Sequence, residues 1–116
     1  MPHFIIKLDT KLGPRYLEWS TIVDAPVTYG VTLDEFQTYW RKEYGESRND
    51  HLATRLRDVE SKGTDCRSDQ SVDETIKYNR AGADETRLTK AQIIDYYCVR
   101  RGKGERPRGT NNGWDV

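Results

Sequence analysis

The sequence has 116 residues, of which 34% are hydrophobic and 33% charged, and its 19 basic residues equal its 19 acidic residues in number. This length suffices for one hydrophobic core, and the balanced charge excludes a general attraction to nucleic acid or to anionic membranes. Two cysteines are too few for a secreted disulfide framework, the N-terminus has no signal-peptide pattern and no apolar run approaches the ~20 residues of a membrane span, so we predict a cytoplasmic protein with no membrane partner.

Two segments near the N-terminus alternate apolar and polar residues with the period of a β-strand. The side chains that share one face are Phe4, Ile6 and Leu8 in the first segment and Leu17, Trp19, Thr21 and Val23 in the second. A Gly-Pro pair between the segments indicates a turn. The pattern predicts an antiparallel hairpin whose second strand covers residues 15–23 and places Trp19 in the core. Pro26 should end it, and residues 27–31 form either a short edge strand or an extended loop.

Four capping signatures predict helix starts. In each, a Ser or Thr side chain at the N-cap accepts a hydrogen bond from the backbone amide three residues later, and the side chain of that later residue accepts from the N-cap amide. They are Thr32-x-x-Glu35, Ser47-x-x-Asp50, Ser71-x-x-Glu74 and Thr89-x-x-Gln92. Each precedes apolar residues at helical spacing. We therefore predict an α+β fold in which the N-terminal antiparallel β-hairpin packs against three to four short α-helices.

The composition changes after residue 99. Residues 100–116 carry five basic residues against two acidic ones, together with four glycines. Such a segment has little apolar surface to bury. We predict one domain over residues 1–99 and a mobile basic tail over residues 100–116, whose removal would barely change the stability of the body.

Three stretches resemble small uncharacterised accessory proteins of tailed phages that infect actinobacteria. They are YLEWSTIVDAPVTYG at residues 16–30, TLDEF at 32–36 and YCVRR at 97–101. The resemblance provides no activity to assign to any residue. It implies a context in which small proteins bind and redirect host proteins, and it favours an interaction protein over an enzyme.

The first predicted helix has an unusually wide apolar arc. At about 100° per residue, Leu33, Phe36, Trp40 and Tyr44 lie within about 80°, and Tyr39 widens the arc to roughly 140°, beyond the ~100° of an ordinary core-facing stripe. Tyr39 or Tyr44 should therefore be partly exposed. Tyrosine is enriched at protein interfaces, so the candidate protein-binding residues are Tyr39, Tyr44 and Tyr29. The alternative is that these aromatic residues lie at the core boundary.

The basic tail supports a second hypothesis, nucleic-acid binding, because Arg- and Gly-rich segments bind phosphates without sequence preference. The candidate nucleic-acid-binding residues are Arg100, Arg101, Lys103, Arg106 and Arg108. The alternative is a solvated polar C-terminus.

The residue patterns that suggest an enzyme are each explained as well by a structural role. Asp58-Val-Glu60-Ser-Lys62 contains the Glu-x-Lys element of many metal-dependent nucleases, but it falls at the end of a predicted helix, where alternating charges are typical of a solvated face. The histidines and cysteines are too far apart in sequence for a zinc site, and a Cys–His nucleophile pair is weaker than a core role for Cys98 and a loop role for Cys66.

We accordingly predict no catalytic residue, metal or cofactor. The favoured function is a non-enzymatic interaction protein, phage-encoded, that modulates a host or phage protein through an aromatic surface. The alternative is a small nucleic-acid-binding accessory module, and third comes a small metal-dependent nuclease or hydrolase. The sequence does not predict the identity of the partner or the oligomeric state.

Overall fold

The computed structural model describes residues 3–45, 49–65 and 70–110 and has an antiparallel β-hairpin at its N-terminus. Strands β1 (His3–Thr10) and β2 (Gly13–Ser20) pair along their whole length, and Phe4 lies opposite Trp19. A short strand, β3 (Ala25–Pro26), adds to the outer side of β2, giving the order β1-β2-β3. The predicted hairpin is confirmed.

The second strand ends earlier than the sequence predicts. Residues 21–24 form a turn, because Ser20 pairs with Ala25 and the chain must reverse between them. Asp24 adopts a positive φ of 54° within this reversal. The prediction that strand two continues to residue 23 is therefore wrong, and Ile22 and Val23 lie on the surface instead.

The helices follow the hairpin. They are α1 (Leu33–Tyr44), α2 (Asn49–Lys62), α3 (Val72–Ile76) and α4 (Lys90–Ile93), which continues as a π-helical segment over Ile94–Val99. The capping boxes at Thr32, Ser71 and Thr89 are all present, and the side chains of the fourth signature, from Ser47 to Asp50, lie outside the described residues. Together with the sheet, these helices confirm the α+β fold. Within the described ranges, every helix is too short or too polar to cross a membrane.

Helices cover both faces of the sheet. On one face, the predicted stripe of apolar strand residues, including Trp19, packs against residues of α3, α4 and the π-helical segment. On the other face, Ile5 and Tyr16 pack against Phe36 and Trp40 of α1 and against α2. Because this second face is also covered, side chains that the alternating pattern assigns to solvent become buried.

A buried amide joins the two segments that flank the loop after α3. The Asn79 side chain donates to the carbonyls of Ile76 and Leu88, both at 2.8 Å. Its oxygen accepts from the backbone amides of Ala81 and Leu88 at 3.1 and 3.0 Å. All of its donor and acceptor positions at this junction are used, so Asn79 holds the start of the last helical region against the end of α3.

Residues 100–110 lie against the body, in contrast to the predicted mobile tail. Thr110 pairs with Arg87 through two backbone hydrogen bonds of 2.7 and 3.0 Å, and the Ala83 amide donates to the Pro107 carbonyl at 2.9 Å. A Cβ on Gly109 would lie 1.8 Å from the Arg87 carbonyl oxygen, so only glycine allows this approach. The prediction is thus corrected over residues 100–110, since backbone pairing holds a segment that has few apolar residues. Residues 111–116 lie outside the described residues.

Candidate functional site

The hydroxyls of Tyr39 and Tyr44 point inward, to the carboxylate of Glu18 near the end of β2, the middle strand of the sheet. Glu18 is 1% exposed, and it accepts hydrogen bonds from Tyr39 Oη at 2.7 Å and from Tyr44 Oη at 2.5 Å. His3 Nδ1 lies 2.7 Å from the same carboxylate. One buried acceptor therefore has three partners, two from α1 and one from β1.

The sequence places these groups together by two simple periodicities. Glu18 is on the β2 face that α1 covers, between Tyr16 and Ser20, because side chains alternate along a strand. Tyr39 and Tyr44 lie at the edges of the α1 stripe whose centre, Phe36 and Trp40, is buried. The phenols are long enough to reach past this centre to the carboxylate.

The electrostatics of the cluster keep both tyrosines protonated at neutral pH. Burial, followed by the hydrogen bond to Glu18, raises the pKa of Tyr44 to about 12. The same two causes raise the pKa of Tyr39 well above its ordinary value. Both tyrosines are thus neutral donors to the carboxylate, which has three close polar partners in all. This arrangement stabilises the packing of α1 on the sheet and leaves Glu18 poorly suited to act as a general base.

A second buried carboxylate fixes the neighbouring edge of the sheet. Asp65 accepts from the Ile5 amide at 2.6 Å and forms an ion pair with Arg55. Arg55 also lies 4.6 Å from the centre of the Trp40 ring, in cation–π geometry. Arg55 thereby links α2 to α1 and to the strand beneath both helices.

Tyr29 occupies a different environment from the other two predicted tyrosines. Its side chain is 44% exposed, while one side of its ring packs against Tyr97 with 6.0 Å between ring centres. Gly102 supports the hydroxyl end, since a Cβ there would lie 2.3 Å from Tyr29 Oη. The Tyr29 ring is therefore fixed on one side by Tyr97 and Gly102, while part of it remains exposed to solvent.

Exposed apolar side chains concentrate in the segment of the chain that contains Tyr29. Of the seven large hydrophobic residues that are exposed in the described part of the chain, five fall within twelve consecutive positions. We call them the 22–33 surface: Ile22, Val23, Val27, Tyr29 and Leu33. Ile22 is the most exposed of them, at 71%. The other two, Leu12 and Tyr78, lie outside this stretch.

A bulge in the edge strand accounts for part of this exposure. Trp19 pairs with Pro26, and continuing that register would place residue 29 opposite Tyr16. Val31 pairs with Tyr16 instead, so two additional residues are accommodated between these points. Bulges re-aim side chains at sheet edges. Thr28 fills the gap by accepting from the Glu18 amide at 3.0 Å, and Val27 and Tyr29 on either side of it are exposed.

The outer side of this edge is closed at both ends by backbone hydrogen bonds. The Arg80 amide donates to the Asp24 carbonyl at 2.8 Å, and the Gly30 amide donates to the Tyr97 carbonyl at 2.8 Å. Gly30 is required at this contact because a Cβ would lie 2.3 Å from Cys98 Sγ. The free stretch between the two contacts is too short to pair with a long added strand, so a ligand on this surface would be held mainly by side chains.

The basic residues of the predicted tail are largely engaged within the fold. Arg100 and Arg101 form ion pairs with Asp95 and Glu35, each at 2.9 Å, and Arg108 forms one with Asp84. Arg106 lies 5.9 Å from the centre of the Tyr96 ring. Lys103 is exposed, with no ion-pair partner among the described residues. The hydrogen bond that Arg101 donates, followed by the hydrogen bonds with Thr32, lowers the pKa of Glu35 to about 2, so this carboxylate stays charged.

The remaining candidates are dispersed. Glu60 accepts hydrogen bonds from Lys7, at 2.9 Å, and from the Tyr16 hydroxyl, and it contacts the sheet from the end of α2. Burial raises the pKa of the Cys98 thiol to about 11, which keeps this thiol protonated. Cys66 lies outside the described residues. Among the residues that the structure describes, His, Cys, Asp and Glu side chains form no group of three or more that could hold a metal ion.

Sequence reasoning missed both the Glu18 cluster and the 22–33 surface. Alternation correctly separated Glu18 from Trp19, but it could not show that helices cover the face on which Glu18 lies. The pattern assigns Ile22 and Val23 to the second strand and Val27 to an edge strand or an extended loop, whereas the exposure of Ile22 and Val23 depends on the turn at Asp24. Comparisons with protein-family models, with curated proteins and with solved structures found no match for this chain.

Proposed function

We propose that this protein is a non-enzymatic interaction protein that binds a partner protein through the 22–33 surface. The observation that carries the proposal is the concentration of exposed apolar side chains in one short stretch. Scattered apolar residues on a surface need no explanation, whereas a group of them around an aromatic residue is typical of protein interaction sites.

Tyr29 is the anchor that we assign to this surface. Its contacts with Tyr97 and Gly102 restrict the ring in the free protein, so binding would immobilise few additional degrees of freedom. Tyrosine is also enriched among residues that dominate interface energies. Tyr39 and Tyr44, in contrast, contribute indirectly by holding α1 in place through Glu18.

The chemistry of the surface suggests the kind of partner. Its members are aliphatic apart from Tyr29, and the sheet edge beside them has little free backbone. We infer a partner that presents an apolar patch or pocket rather than an added strand. The resemblance to accessory proteins of actinobacterial phages favours a host or phage protein in the host cytoplasm.

The test begins with affinity capture from host lysate and identification of the captured protein by mass spectrometry. Binding of the purified partner is then measured with Ile22→Ser/Val27→Ser, which removes two apolar side chains from the surface. The matched control is Leu12→Ser, because Leu12 is 54% exposed and lies in the turn between β1 and β2. We expect at least about a tenfold loss of affinity for the surface variant, since full burial of a valine or isoleucine side chain is worth ~1.5–3 kcal/mol.

The control variant should bind within about twofold of the native protein, and all variants should unfold at the same temperature within a few degrees, because exposed side chains contribute little to stability. Equal binding by the surface variant and the control would refute the proposal. A Tyr39→Ser or Tyr44→Ser variant does not serve here, because either removes a donor from the buried Glu18 and changes stability together with binding.

A further inference from the structure

A groove lined by basic residues lies between α3, the start of α4 and the last described residues. Its lining comes from the C-terminal part of the chain, whereas the 22–33 surface comes from the N-terminal part. The volume of the groove is about 890 Å³. Four basic residues line it, and these are Lys77, Arg87, Lys90 and Arg108. Asp73 is the acidic residue in its lining. In a chain with zero formal net charge, this is a local excess of positive charge.

The four cations differ in how they are engaged. Lys90 forms an ion pair with Asp73 at 3.0 Å, and Arg108 forms one with Asp84. These pairs are largely exposed and therefore weak enough to exchange partners. Within the described residues, the side chains of Lys77 and Arg87 have no ion-pair partner. Among the described residues, the groove thus offers two cations without an ion-pair partner and two whose ion pairs a stronger anion can replace.

An exposed aromatic ring lies beside one of these cations, Lys77. Tyr78 is 63% exposed, and Lys77 Nζ lies 5.4 Å from the centre of its ring. The combination of positive charges that follow a backbone with an aromatic side chain that stacks on a base is the recurring chemistry of single-stranded nucleic-acid binding.

We propose that this groove binds the phosphate groups of a single-stranded nucleic acid, with Tyr78 stacking on a base at its side. Four cations neutralise at most about four phosphates, which is fewer than the 6–10 contacts typical of strong duplex binders. A single strand also exposes the base faces that Tyr78 requires, whereas a duplex does not. The proposal does not depend on the 22–33 surface.

This assignment differs from the tail hypothesis in the residues that act. Arg100 and Arg101 are paired with acidic residues of the helical body, and of the five tail residues that the sequence singled out only Arg108 lines the groove. Lys77 and Arg87 come from the body, Lys77 at the C-cap of α3 and Arg87 two residues before the N-cap Thr89 of α4.

The experiment is fluorescence anisotropy with a labelled single-stranded oligothymidylate of about 12 nucleotides, a length within the usual site sizes of small binding domains. Titrations are repeated over a series of salt concentrations. We expect the logarithm of the binding constant to fall with the logarithm of salt with a slope of about −2 to −3, at about −0.7 per phosphate contacted.

The decisive variant is Lys77→Gln/Arg87→Gln, and its matched control is Lys42→Gln/Arg57→Gln, which removes one lysine and one arginine from exposed positions on α1 and α2. The groove variant should reduce the slope by about 1.4 and weaken binding by about tenfold or more at low salt. The control should change affinity by less than about threefold. The charge-preserving variant Lys77→Arg/Arg87→Lys should retain binding, which separates loss of charge from a change in the fold.

Tyr78→Ala and inorganic tripolyphosphate distinguish a strand from a free polyphosphate. Tyr78→Ala should weaken oligonucleotide binding by about fivefold or more and leave tripolyphosphate binding unchanged. If tripolyphosphate competes as well as the oligonucleotide and Tyr78→Ala has no effect, the ligand is a free polyphosphate and the assignment to a strand is wrong. Absence of oligonucleotide binding at low salt, or equal losses in the groove and control variants, would overturn the site altogether.

Discussion

Glu18→Gln tests whether the buried carboxylate stabilises the fold through its three partners. Glutamine has nearly the same shape and keeps one acceptor oxygen. Placed where Tyr44 and His3 converge, that oxygen can retain both contacts, while the new amide group faces the Tyr39 hydroxyl, which must rotate to accept from it. The substitution therefore removes charge rather than packing.

The expected loss of stability is about 2 kcal/mol. Hydrogen bonds to charged acceptors are worth ~1.5–3 kcal/mol against ~1 kcal/mol for neutral ones, so neutralising an acceptor of three bonds removes a few kcal/mol. The lower cost of burying a neutral side chain offsets part of that loss. At about 4 °C for each kcal/mol in a domain of this size, the unfolding midpoint should fall by about 8 °C.

The measurement is thermal and denaturant unfolding of the native protein, Glu18→Gln and the control Glu43→Gln, which changes an exposed glutamate on α1. The control should stay within about 0.5 kcal/mol. A Glu18→Gln variant as stable as the native protein would refute the reasoning, since it would show that the cost of burying the charge cancels the hydrogen bonds.

Ionisation of Tyr44 provides an independent readout of the same cluster. Its pKa rises from 10.0 to about 12 in the folded protein, so the folded state holds this proton more tightly. The corresponding stability is complete below pH 10 and is lost as pH rises from 10 to 12. Glu18→Gln should lower the pKa of Tyr44 in an ultraviolet titration, although burial, the larger cause, remains.

Three further predictions concern packing. Trp19→Ala should lower the free energy of unfolding by ~3–5 kcal/mol in denaturant unfolding, because Trp19 is 1% exposed in the core; a smaller effect than that of Ile22→Ala would contradict its placement. Ending the chain after Val99 should lower the unfolding midpoint by several degrees more than ending it after Thr110, since only the first removes the pairing with Arg87; equal midpoints would show that this segment contributes nothing. Gly30→Ala should destabilise strongly because its Cβ would meet Cys98 Sγ at 2.3 Å, and adding Cys98→Ala should recover part of the loss.

Local patterns in the sequence determined several elements of this protein. Period-two alternation predicted the hairpin and the core position of Trp19, and the capping boxes at Thr32, Ser71 and Thr89 predicted three helix starts. These features depend on residues a few positions apart, whose geometry is set by the backbone period. They could therefore be predicted without knowing what packs against what.

The tertiary structure decided which side chains are buried and which remain exposed. Glu18 is a polar residue in an alternating strand, and it is buried only because α1 and α2 cover that face. The candidate tyrosines Tyr39 and Tyr44 were found by the width of the apolar arc, but their inward hydroxyls depend on that same carboxylate.

The two proposed sites likewise arise from contacts distant in sequence. Residues 100–110 have few apolar side chains, yet backbone pairing with Arg87 holds them in place and completes the groove. The alternating pattern places Val23 on the core face of strand two, whereas the turn at Asp24 leaves it exposed, and the bulge before Val31 accompanies the exposure of Val27. Composition cannot reveal either result, because both depend on which backbone groups find partners across the fold.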